Sequence, residues 1–192
     1  MPDGVLVRVK QVHSAEVVFA TEAMAAPLEA DALVTDQPGL LLGIVTADCA
    51  PVLLMDERAG VVGAAHAGWR GAVSGVLENT ISAMVRLGSD PAQIRAAIGP
   101  TIAQQSYEVD EAFRANFAEA EGRFFESGRH SHWQFDLPGF AAHRIALAGV
   151  THVDDLQEDT YSRPDRFHSF RRSSHRGENT TGRQLSVIGL PH

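Results

Sequence analysis

The sequence predicts an α/β or α+β domain built on a mixed sheet, and three observations carry that prediction. Near-continuous apolar runs with β-branched residues at 40–45, 51–55 and 61–65 have the pattern of strands buried on both faces. Later stretches repeat their apolar residues at the 3.6-residue period of a helix. The chain then closes on an alternating run at 184–190, so strand and helix patterns interleave rather than segregate.

Each element follows in order. Val5, Val7 and Val9 alternate with polar residues, a strand pattern, and residues 16–20 form a second short β-type run. Residues 56–60 separate two of the buried runs and predict a hairpin or short loop. Leu77, Ile81, Met84 and Val85 fall on one face of a helix that Gly88 and Pro91 stop. Phe113 and Phe117 mark a second helix with Asp110 as its cap. Leu137, Phe140, Ala141, Ile145 and Ala148 mark a third, with Asp136 as cap, Pro138 in its first turn and Gly149 at its end. Residues 171–183, rich in Ser, Gly, Asn and Thr, read as a mobile loop able to close over a ligand.

A chain of 192 residues suits a single domain spanning 1–192, at roughly 150 residues per domain. With 44% hydrophobic and 21% charged residues it matches neither a disordered nor a collagen-like composition. The formal charge of −8 lacks the basic footprint of a nucleic-acid binder. The longest apolar run, 40–45, falls far short of the ~20 residues of a membrane span. The N-terminus carries an early acid and no apolar core of a signal peptide, so a cytoplasmic location is expected. The single Cys excludes an internal disulfide and leaves a buried, reactive or metal-ligating thiol.

Three segments are unusual for ordinary packing, and all three lie at strand ends, where α/β folds place their sites. They are Lys10-Gln-Val-His13, Thr46-Ala-Asp-Cys-Ala-Pro51 and His66-Ala-Gly-Trp-Arg-Gly71. His13, Cys49 and His66 stand too far apart in sequence for a zinc-finger knuckle and suit ligands donated from separate strand ends. Two imidazoles and a thiolate form a known catalytic zinc set with a fourth position open. A buried thiol with two surface histidines accounts for the same spacing. Of the other histidines, His130 and His132 lie in an exposed-loop pattern and are too few for a multicopper cluster. His143 falls near the polar face of the third helix, His168 stands beside Phe170, and His152, His175 and His192 read as surface positions.

At these segments the sequence resembles the YfiH family, whose members have been named laccase-like polyphenol oxidases, purine nucleoside phosphorylases and peptidoglycan editing factors. The matching residues are Gln11-Val-His13, Ala30-Asp-Ala-Leu-Val-Thr35, Thr46-Ala-Asp-Cys-Ala-Pro-Val-Leu-Leu54 and Ala65-His-Ala-Gly-Trp-Arg-Gly71. Further matches are Ile98-Gly-Pro100, Ser106-Tyr-Glu-Val109, Asp136-Leu137, Phe170-Arg-Arg172 and Thr181-Gly-Arg183, in family order from about residue 10 to residue 190. The resemblance implies a three-layer mixed-sheet α/β fold like that of certain cysteine hydrolases. It implies zinc held by His13, Cys49 and His66. It also implies phosphorolysis of adenosine, inosine, guanosine and methylthioadenosine, with deamination of adenosine. Two departures stand out. The family usually carries several dozen more residues before Gln-Val-His, and Asp159-Thr160 stands where the family often has Cys-Thr.

These implications assign roles. His13, Cys49 and His66 form the metal and catalytic set. Asp48 is either the carboxylate that moves protons in deamination or one that orients a loop or a ligand. Arg70, Arg171 and Arg172 are candidates for phosphate, which guanidinium matches in a bidentate way. Gln11 and Tyr107 complete the substrate-binding set. The partners expected are a purine nucleoside and phosphate, with neither nucleic acid nor membrane. Two competing chemistries use the same residues: a metal-free cysteine hydrolase acting on peptidoglycan precursors, with Cys49 as nucleophile and His66 or His13 as base, and, ranked behind it, a copper-dependent polyphenol oxidase.

Overall fold

A computed structural model describes residues 4–22, 26–179 and 182–191. The first half runs β1 (Val5–Arg8), β2 (Val17–Phe19), β3 (Ala32–Thr35), β4 (Leu40–Thr46), β5 (Ala50–Asp56), β6 (Val61–Ala67), α1 (Trp69–Val73), α2 (Val76–Arg86) and β7 (Arg95–Ile98). The second runs β8 (Glu108–Asp110), α3 (Glu111–Arg114), β9 (Phe125–Ser127), β10 (His132–Phe135), α4 (Leu137–Leu147), β11 (His152–Asp155), α5 (Phe170–His175) and β12 (Gln184–Gly189). The central sheet has the order β11-β7-β5-β6-β3-β2 and is mixed, with β2–β3 and β7–β11 parallel and the rest antiparallel. A second sheet, β1-β4-β12, covers one face, and α2 and α4 cover the other. This is a three-layer mixed α/β fold; a small sheet β8-β10-β9 stands beside it.

The period-two alternation of the strands divides the core between the layers. Val52, Leu54, Val61, Ala65, Ala67, Ala32 and Val34 face the helices, while Leu33, Leu53, Val62 and Ala64 face the second sheet. That is why these strands are apolar on both faces. Gly63 lets α2 approach: a Cβ there would lie 3.1 Å from Met84 Sδ and 3.2 Å from Thr80 Cγ2. His66 continues the row of Val62 and Ala64, so its imidazole stands where the layer between the two sheets ends.

The helix signals at 77–88 and 136–149 correspond to α2 and α4. Asp136 caps α4 by accepting from Gly139 N, and Gly88 and Gly149 take the left-handed backbone that ends each helix. The second predicted helix is shorter than its phenylalanines suggest. Asp110 caps α3 as expected, but the helix stops at Arg114, where the Asn116 amide bonds the carbonyls of Ala112 and Phe113. Phe117 lies beyond it and stacks on Phe113 at 5.4 Å. The predicted loop at 171–183 is helical in its first part, as α5. Ser169 caps α5, and the Arg172 guanidinium anchors it to the carbonyls of Thr160, Tyr161 and Phe167. Thr181 and His192 lie outside the described residues. Among those described, no helix is long and apolar enough to cross a membrane.

Replacing Gly63 with Val forces a side chain between β6 and α2. The expected cost is about 1–3 kcal/mol, read as a lower urea midpoint at unchanged slope.

Candidate metal centre

Three strand ends bring His13, Cys49 and His66 together. His13 follows β1, Cys49 sits in the turn between β4 and β5, and His66 lies near the end of β6. Their ligand atoms lie within 4.8 Å of one another, and among the described residues they are the single His/Cys/Asp/Glu cluster with that geometry. Cys49 Sγ stands 3.8 Å from His13 Nε2, and the two imidazoles meet edge to face at 4.8 Å. Gly68 makes room for them, since a Cβ there would come within 2.7 Å of His13 Cδ2 and 3.0 Å of Cys49 Sγ.

One carboxylate organises the set. Asp31, fully buried before β3, accepts from the backbone N–H groups of Val12, His13 and Ser14, from the Ser14 hydroxyl, and from His66 Nδ1 at 2.7 Å. It commits His66 Nδ1 as the proton-bearing nitrogen and leaves Nε2 able to serve as a ligand atom, the arrangement carboxylate–histidine–metal relays use. It also fixes the loop in which His13 holds a left-handed backbone (φ 62°), a cost that the surrounding hydrogen bonds must offset. The sequence reading assigned Asp31 no role. The signal was an acid between Ala30 and the apolar run of β3, where burial demands partners.

The electrostatics follow. Burial drives the Asp31 carboxyl upward, but the hydrogen bonds from His66, Ser14 and Val12 outweigh it and hold the group well below the usual carboxylate range. Burial opposes the charged form of His66, yet the Asp31 carboxylate and the Cys49 sulfur raise it to about 9. Burial likewise raises the Cys49 thiol, but hydrogen bonds from His13 and His66 bring it down to about 7.

A cavity of about 540 Å³ opens over the trio, lined also by Val9, Gln11, Val45, Thr46, Ala47, Arg70, Phe170 and Arg183. Gln11 lines it, but its amide is spent on the backbone N–H and carbonyl of Val45. Arg70 is exposed, with its guanidinium 4.6 Å from the Trp69 ring centre. Asp48 is not in the lining. Its carboxylate accepts from Thr160 Oγ1 at 2.7 Å and from the Arg171 N–H at 2.6 Å, and its left-handed backbone (φ 86°) shapes the Cys49 turn. Of its two expected roles this geometry favours the orienting one. Thr160, from the pair that departs from the family pattern, is one of its two partners.

Arg171 and Arg172 do not reach this cavity. Arg171 donates to the Glu108 carbonyl and Arg172 to three carbonyls, so both guanidinium groups bind backbone. The basic group that the C-terminal segment does present to the cavity is Arg183, which the sequence reading did not single out; its signal was the Thr181-Gly-Arg183 match. Tyr107 packs against Phe113 and Phe135, with the Arg171 guanidinium 5.4 Å from its ring centre. Burial holds its phenol well above the ordinary range. His168 packs its ring against Gly182 away from the trio, and His130 and His132 lie on the β9–β10 hairpin.

Over residues 1–191 the chain matches the family model described as multi-copper polyphenol oxidoreductase laccase. It is 37% identical over 185 residues to purine nucleoside phosphorylase YfiH of Escherichia coli, covering 94% of this chain and 72% of that protein. The chain belongs to the YfiH family. It is 44% identical over 186 residues to a purine nucleoside phosphorylase of Deinococcus radiodurans, covering 96% of this chain and 70% of that relative. Among solved family structures, the Neisseria meningitidis protein NMB0706 superposes with a TM-score of 0.89 at 34% identity, over 98% of this chain and 76% of that one. The Bacillus licheniformis protein YfiH superposes at 0.88 with 30% identity, over 96% and 74%.

Two outcomes are expected of this centre. Asp31→Ala leaves a buried imidazole unpaired, so it weakens metal retention about 10–100-fold in chelator competition and destabilises the fold by about 3–5 kcal/mol. In metal-stripped protein the thiolate of Cys49 forms as pH rises through about 7, two units below an ordinary thiol at 9.0. Its alkylation by iodoacetamide therefore stays fast at pH 8 and falls about tenfold for each unit below pH 6.

Proposed function

We propose that this protein is a zinc-dependent purine nucleoside phosphorylase that also deaminates adenosine. The observation that carries the reading is the convergence of two imidazoles and one thiol, with one imidazole oriented by a buried carboxylate, beneath a cavity of about 540 Å³. The donor set fits zinc: nitrogen and sulfur ligands in a three-residue set, which in catalytic sites leaves one position for water or substrate. The relatives' names support the nucleoside substrate.

His13 and His66 would hold the ion through Nε2 and Cys49 through Sγ. When bound there, zinc supplies a Lewis acid that lowers the pKa of water from 15.7 toward ~7, as adenosine deamination at neutral pH requires. Asp31 keeps the His66 proton on Nδ1 and so keeps Nε2 basic. Asp48 holds the Cys49 turn to α5 through the Arg171 N–H and to the loop before α5 through Thr160. Val9, Val45 and Phe170 offer apolar surface for a purine, and Arg70 offers charge for phosphate. Cavities of this size commonly enclose small-molecule ligands.

One observation favours a second reading. A thiol brought down to about 7 beside His13 is also the arrangement of a cysteine nucleophile with its base. Metal analysis separates the two, and copper in place of zinc would turn the reading toward the oxidase chemistry of the family description. The expected result is one zinc per chain, with adenosine plus phosphate giving adenine and, separately, inosine, both abolished by chelation and by Cys49→Ala. A metal-free protein with a rapidly alkylated Cys49 and no nucleoside turnover would overturn the proposal.

A further inference from the structure

The cavity contains a polar group that nothing in the fold uses. Thr46 is 2% exposed and lines the cavity, yet its Oγ1 is buried with no hydrogen-bond partner among the described residues. Buried hydroxyls are ordinarily satisfied, and the exceptions call for an explanation. The neighbouring polar side chain, Gln11, has both ends of its amide engaged and cannot serve it.

The sheet brings a cation to the same cavity. Thr46 ends β4, and its Cα partner across the antiparallel ladder is Gln184, the first residue of β12. Arg183 immediately precedes Gln184 and lines the same cavity. Among the described residues it has neither a hydrogen bond nor an acidic partner, in contrast to Arg172. Gln184 fixes the turn by accepting from His168 N–H and donating to His168 O, so the segment carrying Arg183 is stitched to the one carrying Phe170. Arg70 adds a second exposed guanidinium to the lining, and among the described residues it has no acidic partner either.

We propose that Thr46, Arg183 and Arg70 form an oxyanion subsite in this cavity, and that its occupant is phosphate. The proposal rests on the phosphorylase reading for the identity of the anion and on the unpartnered hydroxyl and arginines for the existence of the site. A guanidinium donates two parallel N–H groups to a tetrahedral oxyanion, and a hydroxyl donates a third bond. The subsite deepens the earlier assignment by taking phosphate binding away from Arg171 and Arg172 and giving it to Thr46 and Arg183.

The test is calorimetric titration of zinc-loaded protein with inorganic phosphate, without nucleoside, alongside phosphate-dependent kinetics. Arg183→Ala and Thr46→Val are each expected to weaken phosphate binding at least tenfold and to raise the KM for phosphate correspondingly, with zinc content unchanged. Arg95→Ala, an exposed arginine on β7, is expected to bind phosphate as the wild type does. Thr46→Val should also be at least as thermally stable as the wild type in the absence of phosphate, because it removes a hydroxyl that no protein group satisfies. A hydroxyl with a purely structural role would instead lower the melting temperature. Competition by adenosine 5′-monophosphate would make a nucleotide's phosphoryl group the occupant, and its failure would make free phosphate the occupant; both outcomes support the subsite. Phosphate binding that survives in both variants, or is absent from the wild type, overturns it. Phosphate binding without phosphorolysis supports the subsite and counts against the phosphorylase reading instead.

Discussion

The candidate centre depends on one buried carboxylate. Asp31 collects five hydrogen bonds from two separate parts of the chain, the loop after β1 and the end of β6. Without it the loop of residues 12–14 has three N–H groups to satisfy elsewhere, and His66 has no group to fix its tautomer. The same contact ties the second sheet, through β1, to the central sheet, through β6. Local strain at His13 is tolerable because the neighbouring N–H groups are held from below.

Asp48 plays a parallel part on the other side of Cys49. It too has a left-handed backbone, and it too is saturated, by Thr160 and the Arg171 N–H, while its carbonyl accepts from Thr101 Oγ1 and Ile102 N. Two acids thus position three candidate ligands, and neither lines the cavity itself. The reactive surface is left to imidazole, thiol, guanidinium and hydroxyl groups.

Much of this was legible in the sequence because it rests on local rules. The doubly apolar runs became β4, β5 and β6. Of these, β5 and β6 lie in the central sheet with a layer on each face. By contrast, β4 lies in the outer sheet and leaves Leu41 and Val45 half-buried on its outward face, so burial on both faces does not hold there. The caps at Asp110 and Asp136 act as their spacing predicts. His13, Cys49 and His66 stood out as residue types out of place at strand ends, but a buried thiol with two surface histidines accounted for the same spacing. It was the resemblance to the YfiH family that singled them out as a ligand set. Asp31 was not legible, because its role is defined by five partners that only the tertiary fold assembles. The short strands β7 to β11 and the early end of α3 were missed for a related reason: they are set by pairing and by the Asn116 amide, not by periodicity. The backbone partners of Arg171 and Arg172 were not legible, because a basic pair looks the same in sequence whether it faces a ligand or, as here, carbonyl oxygens.

The clamp between Gln184 and His168 has a consequence for how the molecule divides its labour along the chain. All three candidate ligands come from the first 66 residues, whereas Phe170 and Arg183 come from the last quarter and reach the same cavity only because β12 returns beside β4. The candidate donor set thus comes from one end of the chain, while part of the cavity wall above it comes from the other. Changes confined to the few cavity-facing positions near 170 and 183 alter the cavity wall while the donor set beneath stays as it is. A fold arranged this way lets one short stretch of chain drift without disturbing the trio of side chains beneath it.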